Sequence, residues 1–169
     1  MQAFLNTAIQ AARKAGDIAQ MNFGRINESD IKTKSYNEFV TFVDEQAEAA
    51  IKEIIQSRYP DHGTIAEESE ENTNKKQDFV WIIDPIDGTT NYIHSFPVYA
   101  VSIALQIKGV LEVGVIYDPS RQELFTALKG QGSRLDERRI ESVNKAHWKE
   151  HYWELGFHIV RKKTGWISI

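Results

Sequence analysis

Two carboxylates and a run of small polar residues stand together near the middle of the chain, in the segment WIIDPIDGTTN from Trp81 to Asn91. Its apolar start predicts a buried strand that delivers Asp84, and Asp87 follows three residues later. Carboxylates alone repel phosphate, but Mg²⁺ between them can hold it, because the ion completes its oxygen shell with water and substrate phosphate. Backbone amides that could open a helix and face an anion follow at Gly88, Thr89 and Thr90. The pattern favours metal-assisted phosphoryl chemistry.

An Asp-rich turn after a core strand is the alternative interpretation, in which Asp87 and Thr89 serve only to cap the next helix. It is weakened by acidic residues that precede the segment at points where a site would need them, namely Asp44, Glu67 and Glu68. Taken singly, Asp44 also fits a helix cap, and the acidic run after Ala66 also fits a solvated surface. The residue types alone therefore leave both interpretations open.

The hydrophobic pattern predicts two helices followed by strands. Apolar residues at three- and four-residue spacing predict an amphipathic helix over residues 5–23, which Gly24 can end. A second helix is predicted over 44–58, with a capping box formed by Thr41 and Asp44. Strands are predicted over 64–66, 79–83, 99–107, 111–117 and 122–127. The last three must be antiparallel, because the links between them are too short for a parallel crossover.

Composition excludes several classes of protein. The 169 residues are 41% hydrophobic and 26% charged, as in ordinary globular domains, so collagen-like and disordered chains are excluded. The absence of cysteine excludes disulfide frameworks, thiolate metal sites and cysteine nucleophiles. Neither a signal peptide nor an apolar run of membrane-spanning length is recognisable, so we expect a cytoplasmic protein.

Residues 130–169 differ from the rest of the chain in charge and aromatic content. They carry eight Lys and Arg against five Asp and Glu, whereas residues 1–129 carry 12 against 19. Three of the four tryptophans also lie there. A basic aromatic segment is compatible with a nucleic-acid-binding arm. So abrupt a change of composition also fits a shifted reading frame.

Four ordered motifs resemble those of the inositol monophosphatase family, relatives of the fructose bisphosphatases. They are FVTFVD (39–44), AEES (66–69), WIIDPIDGTTN (81–91) and FPVYAVSIAL (96–105), and the likeness continues to GQGSRLDERRI at 130–140. The sequence of these motifs is most similar to the bacterial members of the family. The resemblance implies an α+β fold: the N-terminal half of the layered α-β-α-β-α inositol monophosphatase/fructose bisphosphatase-like fold, with two N-terminal helices and a mostly antiparallel sheet.

Carried over position by position, the resemblance implies a set of Mg²⁺ ligands, with Mn²⁺ as the alternative metal: Glu67, Asp84, the backbone carbonyl of Ile86, and Asp87. The catalytic residues that it implies are Asp44, Glu67 and Thr89, of which Asp44 and Thr89 orient or deprotonate the attacking water. The implied substrate contacts are Glu67, Asp87, Gly88 and Thr89, where the amides of the last two hold phosphate. His94 is interpreted as a surface-loop residue, because the family chemistry uses no histidine there.

The segment after residue 140 departs from the family pattern. Family members are longer, and their second half supplies a further metal-binding Asp in a Trp-Asp pair that does not occur after Ile140 here. Reading the possible codons for residues 147–160 from the third base permits LEGTLLGTGFPYR, which resembles the family's continuation. We therefore expect the frame to slip near Ile140 or Glu141. Residues 1–140 would be the N-terminal portion of the domain, and 141–169 an out-of-frame tail.

The resemblance implies a Mg²⁺-dependent phosphomonoesterase that hydrolyses myo-inositol monophosphate, or a similar small sugar phosphate, by metal-activated water. Truncation would leave this chain inactive. Fructose bisphosphate and 3′-phosphonucleotides are the rival substrates. A regulatory protein associated with RNA polymerase in transcription antitermination, as in some bacterial relatives, is the alternative function. The expected partners are a small phosphorylated polyol, RNA polymerase or antitermination factors, and a second copy in the full-length family member, without membrane or direct nucleic-acid binding.

Overall fold

The computed structural model describes residues 1–35, 38–68 and 77–141. The helices are α1 (Gln2–Asn22), α2 (Phe42–Arg58) and α3 (Thr89–Ile93), and a 3₁₀ turn spans Glu28–Asp30. The strands are β1 (Ile31–Ser35), β2 (Glu38–Thr41), β3 (Gly63–Ala66), β4 (Phe79–Asp87), β5 (Ala100–Ile107), β6 (Val110–Asp118), β7 (Glu123–Leu128), β8 (Gly132–Leu135) and β9 (Arg138–Ile140).

Strands β3 to β9 form a seven-stranded sheet in chain order, and β1 and β2 form a separate hairpin. Strand β3 is parallel to β4, and every later pair is antiparallel. The β5–β6 turn is made by Lys108 and Gly109, both at positive φ, as two-residue hairpins of right-twisted strands require. The α+β fold with a mostly antiparallel sheet is confirmed.

Helices α1 and α2 pack side by side on one face of this sheet. Alternate residues of β4 to β7 point into the core beneath them, including Trp81, Ile83, Ile103, Leu105 and Val115. Helix α1 meets the core through alanines and through Gly16, where an added Cβ would lie 2.5 Å from the Tyr117 ring. Small residues thus let α1 approach β6 closely, because a larger side chain would overlap that ring.

The opposite face of the sheet is less covered. Its residues alternate with the core positions and are half-buried in the described structure, among them Ile82, Ala104, Gly114, Ile116 and Phe125. This alternation of buried and half-exposed residues is typical of an antiparallel sheet with one packed face. No helix of the described residues combines the length and the apolar character needed to cross a membrane.

The structure extends several predicted elements and adds others. Helix α2 begins at Phe42, two residues before the predicted start, because Thr41 is its N-cap and Asp44 its third residue, which confirms the capping box. The hairpin β1–β2 and the strands β8 and β9 were not predicted, since these sequences of three to five residues are too short to show a sustained apolar alternation. The proposed out-of-frame tail lies outside the described residues from 142 onward.

Candidate active site

Two of the acidic residues predicted to form a site, Glu67 and Asp84, lie where the parallel pairing of β3 with β4 ends. Ala66 of β3 pairs with Ile83 of β4, and the next amide, that of Glu67, donates to the Ile83 carbonyl at 3.2 Å. Glu67 directly follows β3, and Asp84 directly follows the residues of β4 that pair with β3, so the two residues lie side by side where the parallel pairing ends. The Glu67 side chain is exposed at this edge.

Asp84 is a buried carboxylate, 4% exposed, in register with Ser102 of β5. Among the described residues neither of its oxygens has a hydrogen-bond partner. Burial raises the pKa of Asp84 well above its ordinary value, and the negative charges of Glu67 and Asp87 raise it further. A buried carboxylate without a donor is costly, and a bound cation is the partner that would make it favourable.

Asp44 is fully buried at the start of α2 and is held by Thr41. Its Oδ2 accepts hydrogen bonds from the Thr41 amide at 2.9 Å and from the Thr41 hydroxyl at 2.7 Å. Burial raises the pKa of Asp44, while the hydrogen bonds from Thr41 and from Thr89 oppose that rise. The carboxylate is thus fixed in orientation, yet readier than an exposed Asp to take up a proton.

Thr89 connects Asp44 with the end of β4. Its hydroxyl lies 3.3 Å from Oδ1 of Asp44 and 3.0 Å from the carbonyl oxygen of Ile86. A hydroxyl has a single proton to donate, so these two acceptors compete for it. The competition leaves Thr89 able to turn its proton toward Asp44 and present a lone pair to a neighbouring donor.

A bulge and a glycine turn the chain from β4 into α3. The β4–β5 register shifts between Asp84 and Asp87, which pairs with Ala100, so Pro85 lies at the irregularity and breaks no regular ladder bond. Gly88 has φ +94° and is the N-cap of the five-residue helix α3. An added Cβ there would lie 3.0 Å from the Val98 carbonyl oxygen. The predicted helix start after Gly88 is confirmed.

The structure brings Asp44, Thr89 and Ile86 into direct contact and sets Glu67 and Asp87 close enough to Asp84 to raise its pKa. Within the described ranges, however, no three acidic or histidine side chains are arranged to hold a metal ion as they stand. The metal, catalytic and substrate roles of these residues thus stay predictions. His94 is exposed at the end of α3, as expected of a surface residue.

Sequence reasoning missed Glu48, a buried carboxylate on α2, 4% exposed. It lies four residues after Asp44, so both project from one side of the helix. Its Oε2 accepts from the Glu68 amide at 2.8 Å. The i, i+4 spacing of two acids on a helix whose neighbouring positions are apolar was the available signal.

The inositol monophosphatase family model matches residues 1–164. The chain is 46% identical over 145 residues to the Nus factor SuhB of Pasteurella multocida, covering 86% of this chain and 54% of that protein. It is 49% identical over 140 residues to the Nus factor SuhB of Escherichia coli K12, covering 83% of this chain and 52% of that one. The chain thus spans about half the length of these curated relatives.

Solved structures give the same result. The extragenic suppressor protein suhB from Bartonella henselae superposes with a TM-score of 0.81 at 37% identity, over 85% of this chain and 55% of that one. An IMPase from Thermotoga maritima gives 0.79 at 31% identity, over 86% and 56%. The inositol monophosphatase from Anabaena gives 0.73 at 40% identity, over 85% and 50%. These suhB and inositol monophosphatase structures therefore share the fold of most of this chain over about half of their own length.

Proposed function

From the premise that this chain belongs to the inositol monophosphatase family, we propose that its carboxylate edge is part of a divalent-metal phosphomonoesterase site. One observation carries the proposal: Asp84 is buried without a hydrogen-bond donor among the described residues, at the edge where Glu67 also leaves the sheet. Fold stability gives no reason to bury such a charge, whereas a bound cation does. Asp84 therefore fits the metal that the family resemblance implies.

Glu67, Asp84, Asp87 and the carbonyl oxygen of Ile86 are the groups that would hold Mg²⁺ or Mn²⁺. These are hard oxygen donors, which both ions prefer. When bound, such an ion supplies a water of lowered pKa and neutralises charge on the phosphate oxygens. The Ile86 carbonyl oxygen has two lone pairs, of which Thr89 can occupy at most one, so the other is available to a metal.

Asp44 and Thr89 would orient or deprotonate the attacking water. Thr89 can accept from the water while donating to Oδ1 of Asp44, which lies 3.3 Å away. The raised pKa of Asp44 suits a group that takes up a proton during the reaction. Thr41 fixes the other oxygen of Asp44, so only Oδ1 is directed to Thr89.

Gly88 and Thr89 would contact the phosphate through their backbone amides. The positive φ of Gly88 turns the chain sharply between β4 and α3, and the absence of a Cβ keeps that turn close to Val98. Asn91 Nδ2 donates to the same Val98 carbonyl at 2.8 Å and fixes the turn. A small phosphorylated polyol such as myo-inositol monophosphate is the proposed substrate, with Asp87 facing its ring. Fructose bisphosphate and 3′-phosphonucleotides are the rivals.

The test is phosphate release from myo-inositol monophosphate by the product of the frame-corrected gene, with Mg²⁺, with Mn²⁺ and with excess EDTA. We expect release with either metal and none in EDTA. Asp87→Asn should abolish turnover without lowering the melting temperature in metal-free buffer, because it removes a charge that repels Asp84. Asp17→Asn, an exposed carboxylate on α1, is the control. Equal turnover in EDTA would contradict the metal assignment.

The relatives named Nus factor SuhB favour a second function, association with RNA polymerase or antitermination factors. Such a role would not need the carboxylate edge. Capture of polymerase by the wild-type protein and by the Asp84→Asn variant separates the two functions. Equal capture by both would show that binding is independent of catalysis, and no capture by either would exclude this second function.

A further inference from the structure

Helix α2 delivers two buried carboxylates, one turn apart, to the same end of the molecule. Asp44 is fully buried and Glu48 is 4% exposed. Asp44 holds Thr89, which belongs to the segment after β4. Glu48 instead reaches the segment after β3. The two sides of the candidate site are therefore both attached to one helix.

Both oxygens of Glu48 are engaged. Oε1 pairs with Nζ of Lys52 at 2.8 Å, and Oε2 accepts from the backbone amide of Glu68 at 2.8 Å. The Glu48 side chain is 6% exposed and that of Lys52 20%. The Lys52 ammonium supplies the counter-charge that a buried carboxylate requires, and a charged acceptor makes a stronger hydrogen bond to the amide than a neutral one.

The contact between Glu48 and the Glu68 amide matters for the site because Glu68 directly follows Glu67 in the chain. Strand β3 has four residues and lies at the edge of the sheet, with β4 as its neighbour. Two successive amides continue its attachment: Glu67 donates to Ile83 on β4, and Glu68 donates to Glu48 on α2. The backbone that carries the Glu67 carboxylate is therefore fixed to the sheet on one side and to the helix on the other.

We propose that Glu48 is a positioning residue, which holds the segment after β3 so that the exposed Glu67 carboxylate stays beside Asp84 and binds the metal. This inference rests on the proposed function. Without the Glu48 contact, the backbone that carries Glu67 would lose its attachment to α2, and more of the ordering of the Glu67 carboxylate would fall on metal binding. That ordering lowers affinity, because the conformational entropy is lost on binding.

Three variants of the frame-corrected protein distinguish positioning from simple burial. Glu48→Gln keeps an oxygen that accepts from the Glu68 amide but loses the charge. Glu48→Ala loses the acceptor. The double variant Glu48→Met with Lys52→Met also loses the acceptor, while replacing the ion pair by apolar side chains of similar volume, an exchange that often preserves stability. Glu53→Ala, exposed on the same helix, is the control.

The first measurement is the Mg²⁺ concentration at half-saturation, obtained by isothermal titration calorimetry on each chain. We expect it to rise roughly 10- to 100-fold in Glu48→Ala and in the double Met variant, the range seen when a group behind a metal ligand is removed. It should stay within about threefold of wild type in Glu48→Gln and be unchanged in Glu53→Ala. A wild-type midpoint in the double Met variant would overturn the proposal.

The second measurement is hydrogen exchange of the Glu68 amide in metal-free buffer. We expect faster exchange in Glu48→Ala and the double Met variant, and near wild-type exchange in Glu48→Gln. Unchanged exchange in Glu48→Ala would overturn the attachment itself. A wild-type chain that binds no Mg²⁺ would instead overturn the proposed function, and with it the metal role of Glu48, so the two failures are distinguishable.

Discussion

The titration of Asp84 affects the stability of the metal-free protein. Because its folded-state pKa is raised above the ordinary 3.8, its contribution to stability is present below that value and is lost as pH rises through the folded pKa. At neutral pH the buried carboxylate therefore opposes folding, and a bound cation would reverse this effect.

We expect Asp84→Asn to raise the free energy of unfolding in EDTA at neutral pH, on the order of 1 kcal/mol, because a buried charge without a donor is removed. The same variant should lose the increase in melting temperature that Mg²⁺ gives to the wild type. Urea unfolding and thermal melts with EDTA and with Mg²⁺ provide the measurement. A variant that Mg²⁺ stabilises as much as wild type would refute a metal role for Asp84.

His62 titrates in the opposite sense. The indole N–H of the buried Trp81 donates to Nδ1 of His62 at 3.0 Å, which requires that nitrogen to be unprotonated. The imidazole also stacks between the rings of Tyr59 and Phe79, at centroid distances of 4.8 and 4.6 Å. Burial lowers the pKa of His62, and the charge of Asp61 partly opposes this. Protonation of Nδ1 would place its N–H against the N–H of the Trp81 indole within a packed cluster of rings.

The lowered pKa of His62 predicts a loss of stability in mild acid. Its contribution is present above the ordinary value of 6.5 and is lost as pH falls through the lower folded value. His62→Phe keeps the stacking but removes both the acceptor for the Trp81 indole N–H and the titrating nitrogen. It should therefore be less stable than wild type at pH 7.5 and lack this loss below pH 6.5. Urea unfolding at several pH values measures it. His94→Gln, at an exposed histidine, is the control.

At the scale of elements, the β3–β4 pair determines where the acids meet. The His62–Trp81 contact lies where the pair begins, and Glu67 and Asp84 lie where it ends. Helix α2 crosses the same region and attaches Asp44 to Thr89 and Glu48 to Glu68. The site is therefore built by one short parallel pair and one helix, with the turn at Gly88 adding the backbone amides.

A comparison of Gly88 and Gly109, both at positive φ, distinguishes the cost of a left-handed backbone from the cost of a close contact. At Gly88, φ is +94° and an added Cβ would lie 3.0 Å from a backbone oxygen, whereas at Gly109, φ is +81° and nothing lies within 4 Å. We expect Gly109→Ala to cost about 1–2 kcal/mol of stability, the cost of left-handed backbone alone. Gly88→Ala should cost more and weaken Mg²⁺ binding. Equal losses of stability in the two variants, measured by urea unfolding, would show that the turn at Gly88 can relax to accommodate a Cβ.

At the scale of the whole molecule, α1 and α2 cover one face of the sheet. The other face presents half-buried residues such as Ile82, Ile116 and Phe125. The matched part of the chain covers only about half of each of the SuhB relatives. We propose that their additional residues cover this face, and that residues 141–169 are an out-of-frame tail.

We therefore expect the 169-residue chain to be poorly stable and inactive, because apolar strand surface in contact with water favours association over folding. Restoring the frame near codon 141 should give a longer protein with higher stability and Mg²⁺-dependent phosphate release. Sequencing through codons 130–170 and urea unfolding of both proteins provide the test. Cooperative unfolding of the 169-residue chain with turnover equal to the longer protein would contradict this expectation.

The sequence determined those features that depend on local pattern. Apolar spacing predicted α1 and α2, the Thr41–Asp44 capping box and the antiparallel strands β5 to β7, because each is stabilised largely by residues near it in the chain. The motifs around Asp44, Glu67 and Asp84 also gave the family, which the family match over residues 1–164 confirms. The short polar strands escaped prediction, since tertiary pairing decides them.

Only the tertiary structure decided which distant residues meet and how far each is buried. Strand β3 pairs in parallel with β4 across the intervening chain, and that pairing places Glu67 beside Asp84. The contact of Glu48 with the Glu68 amide follows from the packing of α2 against this pair, and the lack of a hydrogen-bond donor for Asp84 in the described structure follows from its buried position in β4. Spacing along the chain fixes neither, because the pKa and role of a carboxylate depend on the charges, donors and solvent around it in the folded molecule.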